Sequence, residues 1–318
     1  MIYVDFNGRC GDQFFQYAFA RKIQLKILDQ NPLQFNFYNQ ERWRKKLNDN
    51  SFRNDLQFFN VADNNSFINE QTNFERLSAK KQRKLFKKYI FIKKVVFRTK
   101  LKFLAKHYQK KIQKNGIYYD DEYFELYAFP KKNVDVFIRG YFENYKYYYN
   151  DDVLRIALAN ELTPKKLTLS KEDSLFNYIL SHECVCVSLR SWDEVKGNED
   201  TFASRMVCGE EYYKSALEKM NSFHPEATFI IFSDNIEWAK KVIGDKYPAL
   251  YESGKNTICE KIVLMSSCKH FVIANSSFSW WTQYLSNGPD KVVISPSRWY
   301  TDKDDNRVIN PDWIIIKA

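Results

Sequence analysis

The chain has 318 residues, 44% hydrophobic and 17% aromatic, with a formal net charge of +10 at pH 7. That is room for two domains with sizeable cores, and nine glycines and eight prolines are too few for a fibrous or loop-dominated protein. No apolar run approaches the roughly 18–20 residues of a spanning helix, and the opening residues lack the basic stretch and apolar run of a signal peptide.

In chain order, residues 1–6 (MIYVDF) are predicted to form a buried strand. A turn with Gly8 and Gly11 follows, then a helix over 12–28 with Asp12 as its N-cap. Strand, glycine turn and helix open a Rossmann-type unit. A second strand is expected at 33–38. From 67 to 114 the pattern is helical, with Leu85, Tyr89, Ile92, Val96, Phe103 and Leu104 on one face. Residues 134–141 read as a strand and 143–160 as a helix, and the polar stretch 162–170 with Pro164 marks a boundary. We therefore expect an N-terminal Rossmann-like domain over 1–160, with a basic helical insertion at about 67–116, and a second domain over 161–318.

The second half alternates. Strands are expected at 184–189 (CVCVSL), 228–233 (TFIIFS), 249–252, 271–274 (FVIA) and 291–294 (KVVI), and helices at 209–223, 235–243, 257–268 and 277–286. Short apolar strands between amphipathic helices imply a parallel sheet covered on both faces. The six cysteines lack metal-type spacing and read as buried thiols. The four histidines are not paired at ligand spacing, so no metal is expected.

The charge is uneven. Residues 79–116 hold fifteen Lys and Arg and no Asp or Glu, so the net +10 becomes −5 once those fifteen are set aside. A solvated face is the plain reading. Attraction to an anionic membrane surface through residues 80–114, at about 1 kcal/mol per basic residue, fits so one-sided a segment better. The interleaved Phe and Tyr would also suit a nucleic acid, but that leaves the polar groups of the other half unexplained, and no nucleic-acid partner is expected.

Ligands of open parallel sheets bind at the carboxyl ends of the strands. There the sequence places Gly8–Asp12, Arg190 with Asp193 and Glu194, Asp234, and Asn275-Ser276-Ser277 ahead of Phe278 and Ser279. A helix start and an arginine suit a diphosphate, and Asp234 suits a ribose or a purine. Singly, each has a simpler role: helix cap, ion pair of Arg190 with Asp193 or Asp234, or tight turn. The case for an anion site is their coincidence at four strand ends.

The same segments resemble the bacterial α-1,2-fucosyltransferase family. Residues 8–20 (GRCGDQFFQYAFA), 140–148 (GYFENYKYY), 229–238 (FIIFSDNIEW) and 264–281 (LMSSCKHFVIANSSFSWW) are similar to its motifs, in order. The resemblance implies a GT-B fold of two Rossmann-like domains facing across a cleft. It implies metal-free, inverting transfer of L-fucose from GDP-fucose to a galactose-type hydroxyl of a glycan, in surface polysaccharide or O-antigen synthesis. It implies donor contacts from Arg190, Asp234, Asn275, Ser276, Ser277, Phe278 and Ser279, and from Gly8, Gly11, Asp12 and Gln13. Arg190, Asp193 and Glu194 are the catalytic candidates: Arg190 on the diphosphate, and Asp193 ahead of Glu194 and Asp12 as base. Orienting Arg190 is the equal alternative for Asp193. The sequence departs from the family at Ser188, Ser191 and Trp192, where His, the second Arg and Gly are usual, and Asp12 replaces an Asn. A same-fold transferase for another sugar nucleotide, or a non-catalytic sugar-binding member, stays open. A cytoplasmic protein peripheral to the inner membrane face, with a lipid-linked acceptor, is expected.

Overall fold

A computed structural model describes residues 1–27, 33–62, 65–67, 80–99, 102–120, 124–167, 169, 173–192, 203–288 and 290–318. The chain divides into two compact units, Met1–Thr163 and Pro164–Ala318. Each is built on its own parallel sheet.

In the first unit the order is β3-β2-β1-β5-β4, from β1 (Ile2–Asp5), β2 (Leu33–Asn36), β3 (Asn65–Phe67), β4 (Ile117–Tyr119) and β5 (Val136–Arg139). Helix α1 (Cys10–Ile27) lies against β1 and β5, with Phe14, Phe15, Phe19 and Ile23 fully buried. It starts two residues earlier than the sequence suggests, so Asp12 lies in its first turn and accepts the Arg9 N–H (2.9 Å) from there. Helix α2 (Tyr38–Leu47) ends at Asn48 in a left-handed conformation.

The helix expected over 143–160 is instead a 3-10 turn at Tyr145–Tyr147 and a separate helix α5 (Asp152–Glu161). The break has a local cause. Asn150 adopts φ +61, and Asp151 caps α5 by accepting the Leu154 N–H. A partly buried cluster joins α1 to α5: Tyr17 Oη donates to Glu161 Oε2 (2.5 Å), and Arg21 holds both oxygens of the same carboxylate at 2.9 and 2.6 Å.

The basic segment forms α3 (Lys80–Thr99) and α4 (Lys102–Gln113), and the helical pattern expected at 68–79 lies outside the described residues. Tyr89 and Ile112 are buried against β4 and β5, with Leu85 packed beside them. Phe103, expected on that inner face, is 66% exposed, because α4 has its own phase and turns Gln109, Ile112 and Gln113 inward. Phe91 on α3 is equally exposed, at 67%.

The second unit contains α6 (Ser174–Ser181), β6 (Cys184–Leu189), α7 (Glu210–Phe223), β7 (Thr228–Ser233), α8 (Ile236–Ile243), β8 (Ala249–Tyr251), α9 (Ile258–Ser266), β9 (His270–Val272), α10 (Ser277–Leu285), β10 (Val293–Pro296) and β11 (Ile314–Ile316). Its sheet order is β11-β10-β9-β6-β7-β8. The chain winds outward from β6 through β7 to β8, then returns to β9 on the other side of β6, the doubly wound arrangement of dinucleotide-binding domains. All six residues of β6 are buried, as a central strand covered on both faces requires. Val187, Ile231 and Val272 meet Tyr213, Leu217 and Met220 of α7 in one core, each buried aliphatic side chain contributing about 1.5–3 kcal/mol.

All six cysteines are free and buried. Burial pushes the Cys184 and Cys208 thiols up to about 12, far from a reactive thiolate.

Candidate functional site

The winding of the second sheet reverses between β6 and β9, and their carboxyl ends therefore flank the crevice where such sheets take ligands. Arg190 follows β6 and Asn275 lies just past β9. Asp234 follows β7, the other neighbour of β6.

The turn after β6 is fixed from two sides. Tyr213 of α7 donates its hydroxyl to the Ser188 carbonyl (3.2 Å) and accepts the Arg190 N–H (3.1 Å). Asp234 accepts the N–H groups of Ser191 (2.8 Å) and Trp192 (3.1 Å), one on each carboxylate oxygen. Trp192 has φ +57, an uncommon conformation for a bulky residue, and the Asp234 carboxylate holds it there. The Arg190 guanidinium lies 4.8 Å from the Trp192 ring centre, with its Nε 3.6 Å from Asp234 Oδ2. Asp234 thus serves the loop that presents Arg190 and forms the ion pair with it that the sequence offered as an alternative, instead of the helix cap also expected of it. The cap of α8 is its neighbour Asn235, which accepts the Trp238 N–H.

Across the crevice, α10 begins at Ser277, with Ser276 as N-cap and no side-chain capping bond. Ser276, Ser277 and Phe278 are partly exposed, whereas Asn275 and Ser279 are fully buried. Ser279 turns its hydroxyl back to the carbonyls of Ala274 and Ser276. Asn275 donates both side-chain N–H groups inward, to the carbonyls of Arg205 (2.9 Å) and Trp299 (3.1 Å). These two polar side chains shape the helix start, leaving Ser276, Ser277 and Phe278 at its surface. A helix start carries partial positive charge, which suits an anion.

In the first unit, Gly8 to Gln13 sits at the carboxyl end of β1. Gly8 has φ +75, and a Cβ there would fall 2.1 Å from Asp12 Oδ2. Gln13 is fully buried: its amide donates to the Arg53 carbonyl (2.7 Å) and accepts the Asp55 N–H (2.9 Å). Gly11 is buried within α1. Asp12 is partly exposed, but its Oδ2 is held by Arg9. Asp193 and Glu194 lie outside the described residues.

At the amino end of the second sheet, Glu183, His224 and His270 bring one possible ligand atom each within 4.8 Å of one another. His224 Nδ1 is 2.7 Å and His270 Nε2 is 3.5 Å from Glu183 Oε1, and the two rings stack at 3.7 Å. The Val292 N–H donates to His270 Nδ1, so neutral His270 carries its proton on Nε2, the nitrogen a cation would need. This donor set fits a hydrogen-bonded trio rather than a metal. Forty-six positions separate the two histidines in the chain, so spacing hid their meeting.

Comparison with known proteins fits this geometry. The profile of glycosyl transferase family 11 matches residues 1–317. The chain belongs to that family. It is therefore a glycosyltransferase of the α-1,2-fucosyltransferase group. It is 25% identical to the O-antigen biosynthesis glycosyltransferase WbnK of Escherichia coli over 98% of this chain and 99% of that protein. It is 29% identical to an α-1,2-colitosyltransferase of E. coli over 52% of this chain and 57% of that one. The mouse galactoside 2-α-L-fucosyltransferase Sec1 is 25% identical over 36% of this chain and 33% of that protein. Among solved structures, the α-1,6-fucosyltransferase NodZ soaked with GDP-fucose superposes with a TM-score of 0.51 at 10% identity, covering 92% of this chain and 94% of that one. The family 11 chain thus has the GT-B fold with two Rossmann-like sheets.

Residue reasoning missed Tyr213, Trp192 and Arg205. Tyr213 looked like one more apolar position of a helix. Trp192 registered only as a departure from a motif. Arg205 sits in a helical turn at 203–205 with no motif of its own.

Proposed function

We propose that this family 11 enzyme transfers L-fucose from GDP-fucose to a galactose-type hydroxyl of a glycan, with inversion and an α-1,2 linkage, in the assembly of a surface polysaccharide. The observation that carries the reading is the pairing of Arg190 with the start of α10 across the reversal point of the second sheet. The transition state of sugar transfer resembles an oxocarbenium ion, and negative charge grows on the departing diphosphate. Arg190 and the first amides of α10 meet that charge electrostatically, the part a divalent ion would otherwise play. The acceptor hydroxyl loses its proton to a carboxylate as the new bond forms. Asp193, three residues past Arg190 in the chain, is the candidate base, with Glu194 and Asp12 behind it.

Within the second unit the donor set also includes Asp234, Asn275 and Ser279, acting through the loops they hold. The WbnK likeness over nearly the whole chain supports a polysaccharide acceptor. The likeness to a colitosyltransferase supports a second reading, in which the sugar is not fucose. No helix among the described residues is long and apolar enough to cross a membrane. We place the enzyme in the cytoplasm, with α3 and α4 against the anionic inner face, where a lipid-linked acceptor would be met.

Thermal shift and turnover test the reading together. GDP should raise the melting temperature more than UDP or ADP do. Arg190→Ala should abolish the shift and lower turnover by about 100- to 1000-fold. EDTA should leave the rate unchanged. A shift with UDP alone would sink the donor assignment, and turnover with GDP-colitose but not GDP-fucose would select the second reading.

A further inference from the structure

A second guanidinium lies near the turn that carries Arg190. Arg205 lies 5.8 Å from the Trp192 ring centre, on the same indole that Arg190 approaches at 4.8 Å. The Arg205 guanidinium also stands 4.8 Å from the Tyr300 ring, and Lys303 Nζ approaches that ring at 3.7 Å. Cations and aromatic rings therefore alternate: Arg190, Trp192, Arg205, Tyr300, Lys303.

The turn that carries Arg205 is anchored to both neighbours of the crevice. Its carbonyl accepts from Asn275, the residue ahead of the α10 cap. Thr301 bonds the two preceding carbonyls, donating its N–H to Ser204 (3.1 Å) and its hydroxyl to Ala203 (2.7 Å). A flexible arginine side chain is thereby rooted on a fixed backbone beside a helix start.

The Asp234 carboxylate already pairs with Arg190 at 3.6 Å, and two guanidinium groups near a positive helix end favour the approach of a further anion. A nucleoside diphosphate carries two linked phosphates. One arginine and one helix start leave half of that charge to solvent, and position 191, beside Arg190, is a serine with no charge to add.

We propose that Arg205, which approaches the same Trp192 indole as Arg190, supplies the second cation for the diphosphate of the nucleotide donor. The assignment rests on the reading of the Arg190 crevice as the donor site. It makes Arg205 a determinant of diphosphate over monophosphate recognition, delivered from a different segment than the β6 turn.

Calorimetric titration of the full chain with GDP and GMP tests it. Arg205→Gln should weaken GDP by about 10- to 100-fold, the worth of a charged hydrogen bond, and weaken GMP much less. Arg205→Lys keeps the charge and should recover part of the loss. Unliganded melting temperatures report whether the stacking on Trp192 and Tyr300 alone has suffered. If Arg205→Gln bound GDP as the wild type does while Arg190→Gln did not, Arg205 would be a structural residue and the donor reading would stand. Equal losses for GDP and GMP would also overturn the assignment. A wild-type protein that bound neither nucleotide would overturn both.

Discussion

Gly8 shows how one residue fixes the geometry of a loop. Its φ of +75 is free for glycine and strained for other residues, and any Cβ would collide with the Asp12 carboxylate that holds the Arg9 amide. Gly8→Ala should therefore destabilise the protein by about 1–3 kcal/mol, read as a lower urea midpoint at unchanged slope. An unchanged midpoint would mean that the loop relaxes around the methyl group. His270 gives a residue-scale dependence on pH. Burial, then the charge of neighbouring His224, push its pKa below the usual histidine value, and Glu183 offsets this only in part. The folded state thus favours neutral His270, while the unfolded chain takes up a proton near pH 6.5. Stability should fall as pH drops below about 6.5 toward the lower folded value. The melting temperature at about pH 5.5 should lie below that at pH 7.5, and His270→Gln should narrow the gap. A gap that the substitution left untouched would count against His270 as its source.

At the scale of elements, what the sequence revealed follows from how each element is buried. Strands β6 and β7 are covered on both faces, so CVCVSL and TFIIFS appear as unbroken apolar runs with correct bounds. Strand β11 is an edge strand of three residues, with Ile315 42% exposed, and escaped notice. The strand-end rule located Arg190, Asp234 and the α10 start because it needs only where strands stop. It could not tell a ligand contact from a support, since Asp234, Asn275 and Ser279 spend their polar atoms on backbone groups brought close only by folding. Asn275 meets Arg205 across seventy positions of chain, and no local pattern records such a meeting.

The whole molecule carries its positive charge on α3 and α4, with Phe91 and Phe103 exposed among the lysines. Basic residues with exposed aromatic rings are suited to an anionic lipid surface. Replacing the exposed Lys84, Lys87, Lys94 and Lys110 by glutamine should lower sedimentation with phosphatidylserine vesicles by about a thousandfold in partition constant, at roughly 1 kcal/mol per charge. Turnover on a soluble acceptor should not change. Wild-type protein that stays in the supernatant at low salt would remove the membrane from the proposal.

Asn275 also bears on how long a molecule keeps its activity. An Asn-Ser pair in a mobile chain loses ammonia when the following backbone nitrogen attacks the side-chain carbonyl, and water then opens the resulting cyclic imide to aspartate or isoaspartate. Here the Ser276 N–H is engaged with the Ala274 carbonyl at 2.8 Å, and the Asn275 amide is locked by two bonds. The same contacts that shape the α10 start therefore guard it against chemical ageing. A carboxylate at that point would place negative charge at the α10 start and forfeit both anchors at once.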